Sequence, residues 1–263
     1  MQSLDSFFEI LDKRAPLELD KKLIERGDYD NSGIIVRVNE SVERVLFSLD
    51  LSEASLKKAV TLCCDTIVTH HPAIYKPIKS LSCGDYSSRS VLAAARRGIN
   101  VISMHLNLDV AEDGIDASLC LGLGGEEYKI LDMTDEKTGY GREFSVKKRT
   151  LSEMKACAKM SFCAKRLITY GNPGTEIKTV ASFCGGGSGS ALSYLENGGK
   201  ADLIVTSDMP HHVIKEALER GVCVMLLTHY ASENYGFNRY YEKITRDVGE
   251  KVKTFFFTDG RFM

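Results

Sequence analysis

One pattern occurs twice in this chain and limits what it can fold into. Asp65-Thr66-Ile67-Val68-Thr69 leads into His70-His71-Pro72, a helical stretch, and then Arg97-Gly98-Ile99-Asn100-Val101-Ile102-Ser103-Met104-His105. Asp202-Leu203-Ile204-Val205-Thr206 leads likewise through Ser207-Asp208-Met209-Pro210-His211-His212 and a helical stretch to Arg220-Gly221-Val222-Cys223-Val224-Met225-Leu226-Leu227-Thr228-His229. Each copy reads as an apolar strand, a polar loop, a helix closed by Arg-Gly, and a second apolar strand that ends on histidine. Strands this uniformly apolar are covered on both faces, and helices between them do the covering, so the pattern predicts an α/β fold with parallel or mixed sheets. The echo implies an internal duplication, two similar βαβ units, or a chance likeness between generic ones. In open α/β sheets, ligands bind beyond the carboxyl ends of strands, where both copies present polar side chains.

The rest of the chain continues the alternation. Residues 45–49 read as a strand and 52–62 as a helix, followed by a helix over 88–97;. A second series begins with a strand over 140–146, a capping box from Thr150 to Glu153 that opens a helix, and a strand over 166–170;. Gly124-Gly125 and the polar run 132–139 form a seam;. This predicts an N-terminal α/β domain over 1–124 and a second α/β region over 125–263, whose C-terminal segment is able to return to the first. With 263 residues, 43% of them apolar, both can have cores;.

Thirty-four basic against 36 acidic residues leave a net charge of −2, so no overall field favours a polyanion or an acidic membrane;. The compact basic cluster, Lys147, Lys148 and Arg149, reads as a solvated strand end. No segment approaches the ~18 consecutive apolar residues of a spanning helix, and the first residues lack a signal peptide's basic head;. Eight cysteines without a CxxC spacing, most in apolar runs, read as reduced and buried thiols of a cytoplasmic protein;.

All six histidines, His70, His71, His105, His211, His212 and His229, fall just after strands of the two echoing units. Imidazoles gathered at loop ends favour a metal site. His105-Leu106-Asn107-Leu108-Asp109, read as extended, projects His105, Asn107 and Asp109 to one side. His229 and Glu233 stand four apart and share a face if a helix begins there. Taken singly, these motifs also read as a rigid loop, a turn capped by Asp109 and a surface pair; all three bland readings together are much less probable. Imidazole mixed with carboxylate suits Zn, Mn, Fe, Co or Ni rather than calcium. Cys184-Gly185-Gly186-Gly187-Ser188-Gly189-Ser190 lacks P-loop and dinucleotide spacing and reads as a tight turn;. No GxSxG elbow accompanies the histidines, which disfavours a nucleophilic serine.

Taken in order, DTIVTHHPAIYKPIKSL, MHLNLDVAEDGIDASLCLGLG, CGGGSGS, ADLIVTSDMPHH and THYASE resemble the NIF-three-like family, whose members are often labelled GTP cyclohydrolase 1 type 2 homologs. Tyr29-Asp30-Asn31-Ser32-Gly33 resembles the family's Trp-Asp-Asn-x-Gly element, with Tyr29 in place of Trp. The resemblance implies two similar α/β domains with mixed sheets and a dinuclear metal centre between them, in a toroidal homohexamer. It places the metal ligands on His70, His71, Asp109, His229 and Glu233, with Glu233 bridging two divalent ions and His105 in or next to the shell. Ser207 stands where Gly commonly precedes the acidic residue, which bears on the pocket wall near Asp208.

The residues and the resemblance meet on a hydrolase of unspecified small-molecule substrate that uses metal-bound hydroxide, with His105 and Glu233 as catalytic residues and either His105 or His212 to move protons or orient the ligands. The alternative is a non-enzymatic metal-binding or regulatory protein. Nucleic acid and membrane are not expected partners.

Overall fold

The protein is described by a computed structural model that covers residues 2–263. Its elements begin with β1 (Gln2–Ser3), α1 (Leu4–Arg14), α2 (Leu17–Glu25), β2 (Gly33–Val36), β3 (Ser41–Val42), β4 (Arg44–Ser48) and α3 (Glu53–Thr61). There follow β5 (Thr66–Thr69), α4 (Tyr86–Arg96), β6 (Asn100–Ser103), α5 (Leu106–Val110), α6 (Ile115–Gly122), β7 (Tyr128–Met133), β8 (Gly139–Thr150) and α7 (Leu151–Ser161). The chain ends with β9 (Leu167–Tyr170), β10 (Glu176–Ser182), α8 (Ser188–Glu196), β11 (Leu203–Thr206), α9 (His211–Glu219), β12 (Cys223–Leu227), α10 (His229–Val248) and β13 (Lys253–Phe257).

Two compact units divide the chain. One takes the chain up to Ala111 together with Phe237–Asp259, and the other takes Glu112–Gly236 with Gly260–Met263. The first contains a five-stranded sheet of order β13-β4-β5-β6-β2, parallel except for β2. The second contains a six-stranded sheet of order β7-β8-β10-β11-β12-β9, in which β10, β11 and β12 are parallel and the others antiparallel. Mixed sheets in an α/β fold agree with the sequence reading.

The echo is structural as well as sequential. β5-α4-β6 and β11-α9-β12 are both parallel, adjacent βαβ units. Asp65 and Asp202, which open the two copies, do the same work. Each carboxylate accepts two backbone N–H groups of the neighbouring strand segment, Glu43 and Arg44 in one case (2.9 and 2.9 Å), Lys178 and Thr179 in the other (2.8 and 2.9 Å). The Arg-Gly signals end both helices, with Gly98 at φ +66° and Gly221 at φ +79°. Past each glycine the chain folds back, Ile99 N donating to Ala94 O and Val222 N to Ala217 O;.

Leu46, Ile67 and Val101 from the sheet pack with Leu56 and Ala59 of α3 and Val91 and Ala94 of α4. In the second unit Ala181, Ile204 and Val224 pack with Ala191 and Leu195 of α8 and Val213 and Ala217 of α9. Each such large side chain contributes about 1.5–3 kcal/mol by leaving water.

Four cysteines are buried, but Cys63, Cys83 and Cys163 are exposed, which corrects the reading of the thiols as uniformly buried. Cys63 and Cys163 follow α3 and α7 at φ +53° and +50°. A helix-ending residue in that conformation turns outward, whatever apolar run precedes it. Among the described residues no helix is long and apolar enough to cross a membrane.

Candidate metal centre

In the first unit the candidate residues stand where parallel strands end. Asp50 follows β4, His70 and His71 follow β5, and His105 follows β6, and the three strands are neighbours. The HHP turn is pinned by its own backbone, the N–H groups of His70 and His71 both reaching Leu49 O (3.2 and 2.9 Å). Thr69 Oγ1 donates to His71 O (2.8 Å), and Ser103 Oγ accepts from Ala73 N (3.0 Å).

The HxNxD segment corrects an expectation. It is not extended: Leu108 N and Asp109 N both donate to His105 O (2.9 Å each), and α5 is a single helical turn with His105 as its cap. His105 and Asp109, four apart, therefore share a face. Asn107 turns inward, its amide donating to Ala15 O (2.7 Å). His70 Nε2 lies 3.5 Å from Asp109 Oδ1. His70, His105 and Asp109 each offer one ligand atom, all within 4.8 Å of one another, and the His71 ring centroid is 5.0 Å from that of His70.

In the second unit α10 begins at His229, which meets the condition for His229 and Glu233 to share a face, and His229 Nε2 lies 3.0 Å from Glu233 Oε1. The glycine run is a steric device. Gly185 sits at φ +55°, and a Cβ there would lie 2.2 Å from Glu233 Oε1. Its N–H donates to Ser232 Oγ (3.0 Å), which ties the loop to the first turn of α10. His211 and His212 lie exposed in the first turn of α9 and, among the described residues, join no ligand cluster.

The four imidazoles other than His211 and His212 share one arrangement. Nδ1 of His70 faces Met104 O (2.8 Å), and Nδ1 of His71 faces Asp50 Oδ1 (2.8 Å). Nδ1 of His105 faces Asp30 Oδ1 (2.6 Å), and Nδ1 of His229 faces Asp208 Oδ2 (2.5 Å). A carbonyl or carboxylate oxygen only accepts, so each ring turns a protonated Nδ1 toward its oxygen. Metal-binding histidines are held in this way, which fixes the tautomer and raises ligand basicity. Asp208 reaches its place in a left-handed backbone conformation, φ +50°, that an aspartate tolerates better than most residues;. Sequence reasoning missed Asp50 as a partner of His71 and gave Asp208 only a part in the pocket wall. The signal for Asp50 was its place after a strand beside the HHP strand.

Asp30 and Asp20 form a buried acidic layer behind His105. Burial raises the Asp30 carboxyl, but the hydrogen bond and charge of His105 and the hydrogen bond from Ser32 outweigh it and hold the group well down. Asp20 goes the other way, pushed up to about 8 by burial and then by the charge of Asp30. The folded chain thus keeps a proton that the unfolded chain releases near 3.8, so stability falls as pH rises from the carboxylate range toward 8. Asp20→Asn, neutral at every pH, is expected to raise Tm at pH 8 by about 2–4 °C, equivalent to ~1 kcal/mol, and to change it little at pH 4. Thermal melts at both values check this; equal gains would show that Asp20 does not titrate.

The sequence profile of the Duf34/NIF3 family (NGG1p interacting factor 3) matches residues 3–260. A Clostridium perfringens protein named GTP cyclohydrolase 1 type 2 homolog is 27% identical over 266 residues, covering 99% of this chain and 95% of that one. A Schizosaccharomyces pombe protein named NIF3 homolog is 29% identical over 225 residues, covering 78% and 77%. The crystal structure of a hypothetical protein from Staphylococcus aureus superposes with a TM-score of 0.84 at 21% identity, covering 98% and 97%, and shares the fold.

Proposed function

The chain belongs to the Duf34/NIF3 family, and on that premise we propose that it holds two divalent ions and hydrolyses a small molecule. The ligands in this reading are His70, His71, Asp109, His229 and Glu233. One observation carries it: each of these imidazoles is held through Nδ1 by an oxygen, as metal-binding histidines are, and Nε2 of His70 and of His229 faces a carboxylate of the same set, Asp109 and Glu233;. Three imidazoles and two carboxylates are a donor set that fits Zn, Fe, Mn, Co or Ni. Ions bound there would lower the pKa of water and polarise an oxygen of the substrate.

The protein's own groups then divide the work. Asp109 and Glu233 balance the charge of the ions, Asp50 and Asp208 hold His71 and His229 in register, and His105 moves a proton. Relatives carry the name GTP cyclohydrolase 1 type 2 homolog, which puts a purine nucleotide first among the substrates to try. Eight free thiols suit a reducing cytoplasm;. The resemblance adds a homohexamer, for which mass photometry would count six copies.

Elemental analysis of the purified protein, with assays of GTP, cyclic nucleotides and simple phosphoesters, tests the reading. Two ions per subunit and a turnover that disappears in Glu233→Ala support it. Full loading without turnover on any substrate would favour a metal-binding role, and no metal would end both. Gly185→Ala gives a finer test. Its Cβ meets the flexible end of Glu233, so the fold should survive at about 1–2 kcal/mol for the left-handed backbone, while the carboxylate must move;. Metal affinity is expected to fall at least tenfold with a Tm loss of only a few degrees; unchanged affinity would show that Glu233 does not bind the ion.

A further inference from the structure

Asp30 gives His105 something a surface imidazole does not have. Its carboxylate, whose side chain is fully buried, accepts from His105 Nδ1 on Oδ1 (2.6 Å) and from Ser32 Oγ on Oδ2 (2.6 Å). Ser32 Oγ in turn accepts the backbone N–H of His105 (3.0 Å), so ring and backbone of one residue are gripped by one short segment. That segment is itself fixed, Asn31 Nδ2 donating to Ile74 O (2.6 Å) and Tyr29 packing edge-on against Tyr75. Behind it Asp20 is 4% exposed, and its carboxyl is pushed up by burial and by the charge and hydrogen bond of Asp30. Protonated by its burial, it leaves the buried pair with a single negative charge, on Asp30. A charged, doubly hydrogen-bonded carboxylate behind an imidazole is the arrangement that orients a general base and stabilises the cation it becomes.

We propose that Asp30 is a positioning residue that holds His105 as its Nδ1–H tautomer, so that His105 Nε2 serves as the proton acceptor beside the metal ligands instead of being one of them. The inference rests on the hydrolase reading. In the step, a water O–H bond breaks and its electron pair stays on oxygen, which forms the new bond to the substrate. The bond from the attacked atom to the leaving group breaks with its electron pair going to the leaving group, and the proton, taken up first by His105 Nε2, passes to that group, so the ring returns to its starting form. Asp30 keeps its charge throughout and exchanges no proton.

The test uses full-length, zinc-loaded protein labelled with 15N-histidine, read by solid-state NMR. His105 signals are identified by their absence in His105→Gln. In the wild type, Nδ1 of His105 is expected to be protonated and Nε2 bare, with no shift on zinc loading. In Asp30→Asn the amide donates to Nδ1 and the proton moves to Nε2, with zinc per subunit unchanged. Asp30→Glu keeps an acceptor and should restore the wild-type tautomer, whereas a purely structural role would make the two variants alike. On any substrate the wild type turns over, Asp30→Asn should lower kcat about 10²–10⁴-fold with KM little changed. A zinc-shifted Nε2, or a tautomer indifferent to Asp30→Asn, overturns the proposal. If Asp30→Asn does not fold, the wild-type signals alone decide, an Nε2–H or zinc-bound ring overturning it. If the wild type turns over nothing, the hydrolase reading fails, while the tautomer and zinc readings still settle the place of Asp30.

Discussion

Glu233→Ala protein is expected to purify folded but nearly without metal, its affinity lower by more than the ~10–100-fold that loss of an outer hydrogen-bonding partner costs. Glu233 is 2% exposed and lies 3.0 Å from His229 Nε2, so on the proposed reading its removal takes both charge and a ligand atom from the site. The helix should not notice, since alanine is the best helix former and the change falls inside α10;. With metal stripped from both proteins, the variant should melt no lower than the wild type, because a buried carboxylate is costly to keep. With metal at 100 times its Kd, the wild type should gain about 2.7 kcal/mol that the variant does not. Titration calorimetry and paired melts read the two effects separately. Equal metal per subunit in both proteins would remove Glu233 from the ligand set.

Arg142→Met should be the most destabilising single change outside that site, at about 3–5 kcal/mol, or roughly 6–20 °C in Tm. Arg142 is fully buried on β8. Its Nη1 meets Asp116 Oδ2 at 3.0 Å and the carbonyls of Gly139 (2.9 Å) and Gly141 (3.2 Å), and its guanidinium lies 4.9 Å over the ring of Tyr128. Without it, Asp116 is left buried; burial already raises that carboxyl to about 6 against the opposing charge of Arg142. The double change Arg142→Met with Asp116→Leu should recover most of the loss, since removing a whole buried pair is often close to neutral. Asp116 Oδ1 also accepts from Cys184 N (3.0 Å), one residue before the glycine that faces Glu233, so the single variant should also bind metal less tightly. Equal losses in the single and double variants would show that the pair itself does not matter.

Most of the framework was legible along the chain. The strand reading at Thr66–Thr69 and Leu203–Thr206, the Arg-Gly helix ends and the Thr150 capping box are local, since side-chain polarity and one permitted backbone conformation decide them. The i, i+4 pair His229 and Glu233 was legible for the same reason. HxNxD was misread because alternation alone does not choose between an extended segment and one helical turn. That choice fell to His105 O, which accepts two N–H groups at once, and to the burial of Asn107 against Ala15.

The sequence alone determined the α/β alternation, the twofold pattern and the residue types able to hold a cation, because each depends on neighbours within a few positions. Tertiary structure alone decided which oxygen stands behind each ring. Met104 lies 34 positions from His70, Asp50 lies 21 from His71, Asp30 lies 75 from His105 and Asp208 lies 21 from His229. Strand order in the two sheets brings such distant segments within 3 Å, and spacing along the chain carries no record of that order until the sheets form.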